Sequence, residues 1–447
     1  MPIKNQDKLA TTELRRQALK IIEAGIERVL PATIMKSTVN YNPESSCLEV
    51  GNAKYRAVEG RIFVIGGGKA SGLMAEALED KIGVNNILTG IVNCKGGNYS
   101  TKRIKVIEAG HPIPDKRGLN GVKQMLALKD KYSINNNDLV VCLISGGGSA
   151  LMPFPVDGIS LKDKQEATQL LLNCSAEIHE INKVRKHLSK IKGGRLGEFY
   201  SPAEVVSLII SDVMGNDIDA IASGPTYPDY STFQDAYNVL KKYDLTASVP
   251  EKVLSHLERG CHGEVAETPK HLTNCHNHII GNNRLALEAM ATKAEELGFT
   301  PLIITAEQKG DTAEAAYARA GEILKGKYQN YNAILIGGET TPKLPENAGK
   351  GGRNQHYAAV SMLAMRSYPG HWLAASVGTD GSDYLHDVAG AIVDNNTLLR
   401  ATSRGTDIKA YIDRFDSNTL FKKIGETLIM TGNTGTNVSD VMLYLLM

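Results

Sequence analysis

The sequence predicts an α/β protein: two α/β domains with mostly parallel sheets, the first of them Rossmann-like. Three observations predict it. Apolar runs of strand length break straight into glycine-rich loops at RIFVIGGGKA (Arg61–Ala70), LVVCLISGGGSA (Leu139–Ala150), ILIGGETT (Ile334–Thr341), ASVGTDGSD (Ala375–Asp383) and LIMTGNTGTNVSD (Leu428–Asp440). Runs that are apolar throughout read as strands buried on both faces, and their alternation with helical segments builds a parallel sheet covered on both sides. Finally, 447 residues are too many for one ordinary domain and fit two or three.

The elements follow in order. Leu14–Leu30 has apolar residues at helical spacing, with Thr11 or Thr12 as cap and Pro31 as stop. Arg61–Ile65 is a strand, Gly66–Lys69 a loop and Ala70–Lys81 a helix. Ile87–Asn93 and Ile104–Ala109 are strands; the second runs into GHPIPD (Gly110–Asp115), whose prolines forbid continued helix or central strand. Helix Leu119–Lys131 and strand Leu139–Ile144 come next, then helices Leu161–Asn173, Ile178–Leu188 and Arg195–Tyr200. Strand Glu204–Ser211 ends in SDVMGND. The pattern then loosens, and the polar stretch His256–His278 reads as a connector, dividing the chain into domains 1–260 and 270–447. The second block reads as strand His278–Gly281, helix Arg284–Leu297, strand Pro301–Thr305, helix Thr312–Lys325, strand Ala333–Ile336, helix Gln355–Ser367, strand Trp372–Ser376 and a last strand Leu428–Met430.

Composition narrows the function. The formal net charge is +1, with 42% apolar and 22% charged residues. This argues against nucleic acid or an anionic membrane as the main partner. No run of eighteen apolar residues exists, and the polar opening Met1–Lys8 does not read as a signal peptide. A reducing, cytoplasmic location is expected, with Cys142 a buried free thiol inside its strand. The cysteines and histidines between Cys261 and His278 have zinc-capable side chains, but their spacing fits no ligand pattern.

Glycine lets a backbone approach a ligand, and N–H groups opening a helix bind anions, so the loops point to phosphate or carboxylate chemistry at sheet edges. Neither common nucleotide motif is present. Lys69 is followed by Ala70 instead of Ser or Thr, and no earlier glycine has P-loop spacing. A dinucleotide fingerprint needs G-x-G-x-x-G and an acid ending the second strand; Gly72 comes one residue late and that strand ends in Asn93. Lys69 stands inside the first turn, Gly66, Gly67 and Gly68 before it, where a positive charge meets docking anions. The alternative is a solvated loop lysine.

The remaining candidates sit in the other loops. Ser145 and Ser149 bracket Gly146, Gly147 and Gly148; their order is not that of a nucleophile elbow, so the loop is expected to grip substrate or phosphate. Arg353, in GKGGRNQ with Lys350 and Asn354, suits phosphate or carboxylate through paired hydrogen bonds. Asp380 and Asp383 offer hard oxygen ligands for Mg²⁺, and Asp387 lies nearby; turn chemistry alone also selects aspartate. Glu339, followed by Thr340, and Asp212 and Asp217 are further carboxylates able to orient or deprotonate an attacking hydroxyl, and the choice among them stays open. Arg185, Lys186 and Lys192 lie on a basic helix and its KGGR exit, and His111 braces its proline turn or touches substrate.

Taken together the strings IGGGKASGLMAEAL, AGHPIPD, ISGGGSALMPFP, EINKVRKHLSKIKGGRL, IISDVMGNDIDAIASGPTYPD, GKGGRNQ, SVGTDGSD and TGNTGTNVSDV resemble one family: the class II glycerate 2-kinases, whose C-terminal part is the MOFRL domain. The resemblance spans about Glu13 to Met447. It implies transfer of the ATP γ-phosphoryl group to the 2-hydroxyl of D-glycerate, with Mg²⁺ or another divalent cation, in the cleft between two domains. It implies a catalytic lysine at Lys69 and a catalytic arginine at Arg353; Asp212 joins them as a third catalytic candidate. The protein would be a monomer or homodimer with no nucleic-acid or membrane partner. The chain departs from the family pattern at His356, at Tyr384, Leu385 and His386, and at Asn433, which bear on substrate range and loop shape more than on reaction class. The competing readings are an NAD(P)H-dependent hydroxypyruvate reductase and a non-catalytic ligand sensor.

Overall fold

The computed structural model describes residues 2–447. They form two compact units: Ile34–Ile280, and a second made of the N-terminal segment up to Thr33 together with Gly281–Met447.

In the first unit six strands form one sheet: β1 (Ile62–Gly67), β2 (Thr89–Cys94), β3 (Ile104–Glu108), β4 (Leu139–Ser145), β5 (Glu204–Ile210) and β6 (Cys275–Gly281). Their order is β3-β2-β1-β4-β5-β6, and the β1–β2, β2–β3, β1–β4 and β4–β5 pairs are parallel. This is the doubly wound order expected of a Rossmann-like domain. Every residue of β1 and β4 is buried, as a strand covered on both faces requires. Helices Ser71–Ile82 and Lys116–Tyr132 pack on the sheet, the latter capped by Asp115, whose carboxylate accepts from Gly118 N. An antiparallel three-stranded meander, Val39–Arg56, forms a separate sheet.

The second sheet corrects the expectation of mostly parallel strands. It comprises β7 (Pro301–Gln308), β8 (Ala333–Gly338), β9 (Trp372–Gly378), β10 (Gly390–Asp394), β11 (Leu428–Ile429) and β12 (Asp440–Leu446), in the order β7-β8-β12-β9-β10-β11. Only β7–β8 is parallel; β12 runs antiparallel to both neighbours and β9, β10 and β11 form an antiparallel run. The chain's last apolar segment, VMLYLL, is inserted at the centre. Sequence reasoning places the last strand at Leu428–Met430 and misses both β12 and β10. It also misses the helices Asn395–Ser403, Ile408–Asp413 and Ser417–Ile424.

The units also differ from the division 1–260 and 270–447. Helix Glu13–Arg28, capped by Thr12, packs on helix Asn283–Glu296; a Cβ at Gly25 would stand 2.6 Å from Met290 Cγ. Arg15, fully buried, donates to Asp394 through Nε (2.6 Å) and Nη2 (3.3 Å), and through Nη1 to Glu426 O at 2.6 Å. A buried charge tolerated only with such partners locks the opening helix to the C-terminal block. The stretch read as a connector carries regular structure at both ends: His256 lies in helix Glu251–Cys261, and β6 closes the first sheet, its His278 Nε2 bonded to Tyr55 Oη at 2.6 Å. No helix among the described residues is long and apolar enough to cross a membrane.

Candidate active site

Strand order in the first sheet reverses between β1 and β4, and in open α/β sheets ligands bind at the carboxyl ends of strands on either side of such a reversal. Both strands end there in glycine loops. Gly66, Gly67 and Gly68 are packed against protein: added Cβ atoms would stand 2.1 Å from Leu143 O, 2.6 Å from Met152 Cγ and 2.2 Å from Ser145 Oγ. These glycines bring β1 and β4 into contact, so close packing accounts for them without a ligand. Ser145 is likewise structural, its buried Oγ accepting from Ala70 N at 2.9 Å.

Lys69 follows, its N–H donating to Gly146 O at 2.8 Å, which ties one glycine loop to the other. Its ammonium has no hydrogen bond or ion pair among the described residues. Gly147 holds the left-handed φ of +81°, and a Cβ there would stand 3.0 Å from the His111 ring and 3.1 Å from Lys69 Cγ. Gly146 lies against Asp212, which follows β5; a Cβ would fall 1.8 Å from its Oδ2. Lys69, His111 and Asp212 thus converge on Gly146–Gly147. Burial, reinforced by the charges of Lys69 and Lys95, pushes the His111 imidazole down to about 4, so it is neutral at pH 7.

Gly148 and Ser149 are braced from behind. Ser149 Oγ lies 2.8 Å from Ser223 Oγ, which donates to Asn182 Oδ1 at 3.0 Å. Buried Lys192 donates to Gly148 O (3.0 Å) and Ala222 O (2.8 Å), so this lysine holds the loop. Lys186 is paired with Asp219 and Asp229 and is structural too. His111, Gly146, Gly147, Ser149 and Asp212 wall a cavity of about 700 Å³.

The second unit gathers its candidates at one edge, because the starting residue of β12, Asp440, lies opposite Gly338 of β8 and Gly378 of β9. Arg353 donates to Asp440 through Nε (2.6 Å) and Nη2 (3.0 Å), and through Nη1 to Glu339 at 2.6 Å. Asp440, fully buried and paired with Arg353, is a candidate-site residue that sequence reasoning missed. Its signal was present: an acid directly before a wholly apolar run. Burial raises the Asp440 carboxyl, opposed by Arg353.

Asp383 is held at the start of helix Arg353–Ala364. Its carboxylate accepts from Asn354 N (2.9 Å), Gln355 N (2.8 Å) and Gln355 Nε2 (2.9 Å), capping helix Arg353–Ala364, and burial lifts it to about 6. Asn354 is also committed internally, to Asp440 (3.0 Å) and Ser376 Oγ (2.6 Å). Thr340 bonds Thr312 Oγ1 at 2.9 Å. Lys350 has an exposed side chain and an N–H on Asp416 Oδ1 at 2.9 Å. Asp380 accepts from Ser382 in its own turn, at 2.9 Å to the backbone N–H. Asp387 and Tyr384 are exposed, and His356, in the position where the family pattern has an acid, is buried against Phe415 with ring centroids 4.4 Å apart.

No group of three or more potential metal-ligating side chains occurs among the described residues. Asp380 offers one hard oxygen donor at this edge. A dinucleotide fits the first unit poorly. Asn93 is buried and donates to Gly118 O (2.8 Å) and Leu151 O (2.7 Å), while the Tyr99 ring lies where a Cβ on Gly72 would come within 2.4 Å.

The comparisons with known proteins agree with this anatomy. Residues 17–258 match the domain of unknown function DUF4147, and residues 332–440 match the MOFRL family. A glycerate 2-kinase of Pyrococcus horikoshii is 39% identical over 96% of this chain and 97% of its own. A crystal structure of a glycerate kinase from Thermotoga maritima superposes with a TM-score of 0.85 at 37% identity, covering 97% of this chain and 100% of that one. A putative hydroxypyruvate reductase of Agrobacterium vitis is 37% identical over 87% of this chain and 100% of its own. A doubly wound domain followed by a MOFRL domain defines the class. The chain belongs to the glycerate kinase family that carries this C-terminal domain.

Proposed function

We propose that this protein is a cytoplasmic glycerate 2-kinase, transferring the γ-phosphoryl group of ATP to the 2-hydroxyl of D-glycerate. The observation that carries the reading is Lys69: an unpaired ammonium in a glycine turn at the strand-order reversal, beside Asp212 and the Gly146–Ser149 loop. Phosphoryl transfer asks a protein for position and charge more than for covalent chemistry. Asp212, set against Gly146, orients the attacking hydroxyl and accepts its proton. Lys69 balances charge gathering on the transferring group. The neutral His111 holds the turn without adding charge.

Arg353 acts in the same reaction, oriented by Asp440 on one side of its fork and Glu339 on the other. Carboxylates outnumber the guanidinium at that edge, so the partner it fits is a nucleotide carrying its own cation rather than a bare anion. Mg²⁺ bound with the nucleotide would screen the phosphate oxygens, with Asp380 as its protein donor.

The reductase reading needs a nicotinamide site, and the blocked Asn93 and the Tyr99 ring argue against one. The test is a pair of assays on the purified chain. ADP release that depends on D-glycerate and Mg²⁺, with no NADH or NADPH oxidation by hydroxypyruvate, is the expected result. Nicotinamide oxidation without ADP release would overturn the proposal, and binding of both substrates without turnover would make the chain a sensor.

A further inference from the structure

Beyond the Gly146–Ser149 loop and Asp212, the cavity of about 700 Å³ in the first unit has a second set of walls from helices Leu161–Asn173 and Ile178–His187. Two cations of those walls take no part in the mechanism above. Lys164 is 7% exposed, and its Nζ, shielded from solvent, has no hydrogen-bond partner among the described residues. Arg185, half-buried on the neighbouring helix, likewise has no carboxylate bonded to it. Lys164 shares the buried face of its helix with Ala167 and Leu171, a place where a lysine is rarely left alone.

The charges that act most strongly on Lys164 are positive. Burial, then Arg185 and Arg195, push its ammonium down to about 7. Lys192 feels both Lys164 and Arg185, and its own ammonium is anchored on Gly148 O at 3.0 Å. Arg185 is lowered by burial with nothing opposing it. Contrast Lys186 on the same helix, which has two aspartates. An uncompensated buried cation destabilises a fold, so one retained beside a second, in the wall of a cavity that also holds the candidate catalytic groups, lacks a counter-anion that a ligand can supply.

We propose that Lys164 and Arg185 form the seat for the carboxylate of the acceptor, held next to the Gly146–Ser149 loop while its hydroxyl faces Asp212. This deepens the kinase reading and rests on it. Arginine offers a carboxylate two parallel hydrogen bonds, and the lysine beside it supplies a point charge. The site therefore selects a 2-hydroxy acid over a neutral polyol.

The experiment is steady-state kinetics on Lys164→Met and Arg185→Gln in the full chain. In both, the KM for D-glycerate should rise roughly ten- to a hundredfold, the loss of a charge-assisted hydrogen bond, with kcat changed less than about threefold. The KM for ATP should not move. Lys164→Met should also melt higher than the parent without ligand, because it removes an unpaired buried charge. An unchanged glycerate KM in both variants would overturn the proposal. So would a rise confined to the ATP KM, which would assign the seat to nucleotide phosphate. If Lys164→Met does not fold, Arg185→Gln decides alone. If the parent makes no phosphoglycerate, the kinase reading has failed and calorimetry tests the seat separately. Heat with D-glycerate but none with glycerol supports it, and equal or absent heat with both overturns it.

Discussion

The two sheet edges carry their cations in opposite ways. In the first unit Lys69 stands in a glycine loop with no carboxylate on its ammonium, against a turn that buries a neutral histidine. In the second Arg353 is gripped by buried Asp440 and by Glu339, with Asp383 capping the helix that Arg353 begins. A free charge is available to a ligand and contributes little to folding. A charge held by a buried acid is positioned, and folding depends on it.

The largest effect should come from Lys69→Ala: turnover falls by roughly 10²–10³-fold, the range for losing one donor to developing charge. Its melting temperature should stay within about 2 °C of the parent, since nothing in the fold is bonded to the ammonium. Arg353→Ala should lose turnover on the same scale and also stability, by about 3–5 kcal/mol, because Asp440 is left buried and unpaired. Chemical denaturation of the two variants side by side separates them; equal stability would erase the contrast.

Gly147→Ala comes next. A left-handed φ with a Cβ pressed on His111 and Lys69 should destabilise by about 1–2 kcal/mol and lower kcat, read by denaturation and initial rates. A variant as stable and active as the parent would show that the turn has room.

The smallest effect is in pH, where the two edges should have opposite signs. His111 is depressed from 6.5 to about 4, so the unfolded chain binds more protons over that window and this group's contribution falls as pH drops from about 6.5 to about 4. Asp383 is raised from 3.8 to about 6, so the folded state holds its proton more tightly and the contribution falls as pH rises through that window. Measured as melting temperature relative to the parent, His111→Asn should gain and Asp383→Asn should lose as pH is lowered from 6 to 4. Parallel slopes would contradict the assignment of these two groups.

The contrast also shows what the sequence could reveal. The first sheet was legible because its central strands β1 and β4 are buried throughout and each runs directly into a glycine loop and a helix. The second was not: β12 ends the chain yet fills the centre of its sheet, and a central antiparallel insertion leaves no local mark beyond an apolar run. The opening helix sits with the C-terminal block through Arg15 and Gly25, contacts that no neighbouring residue announces.

The site divides the same way. Lys69, Arg353 and Asp212 stand out in the sequence because their loops carry charge among glycines. Asp383 and Asn354 look like ligands in the sequence, and both also hold the fold together: Asp383 accepts from the N-terminus of helix Arg353–Ala364 and Asn354 donates to buried Asp440. Aspartate in a turn serves capping and metal binding with identical chemistry, and only placement tells them apart. Lys164 was overlooked because it lies in an ordinary amphipathic helix; its position on the apolar face was the available clue.

The central claim is that the free lysine at the first edge serves phosphoryl transfer to a glycerate hydroxyl. Phosphorus NMR of the product, after incubation with ATP, Mg²⁺ and D-glycerate, tests it most directly. The account predicts 2-phosphoglycerate from the parent and essentially none from Lys69→Ala. A spectrum containing 3-phosphoglycerate, or an unchanged yield from the lysine variant, would contradict it.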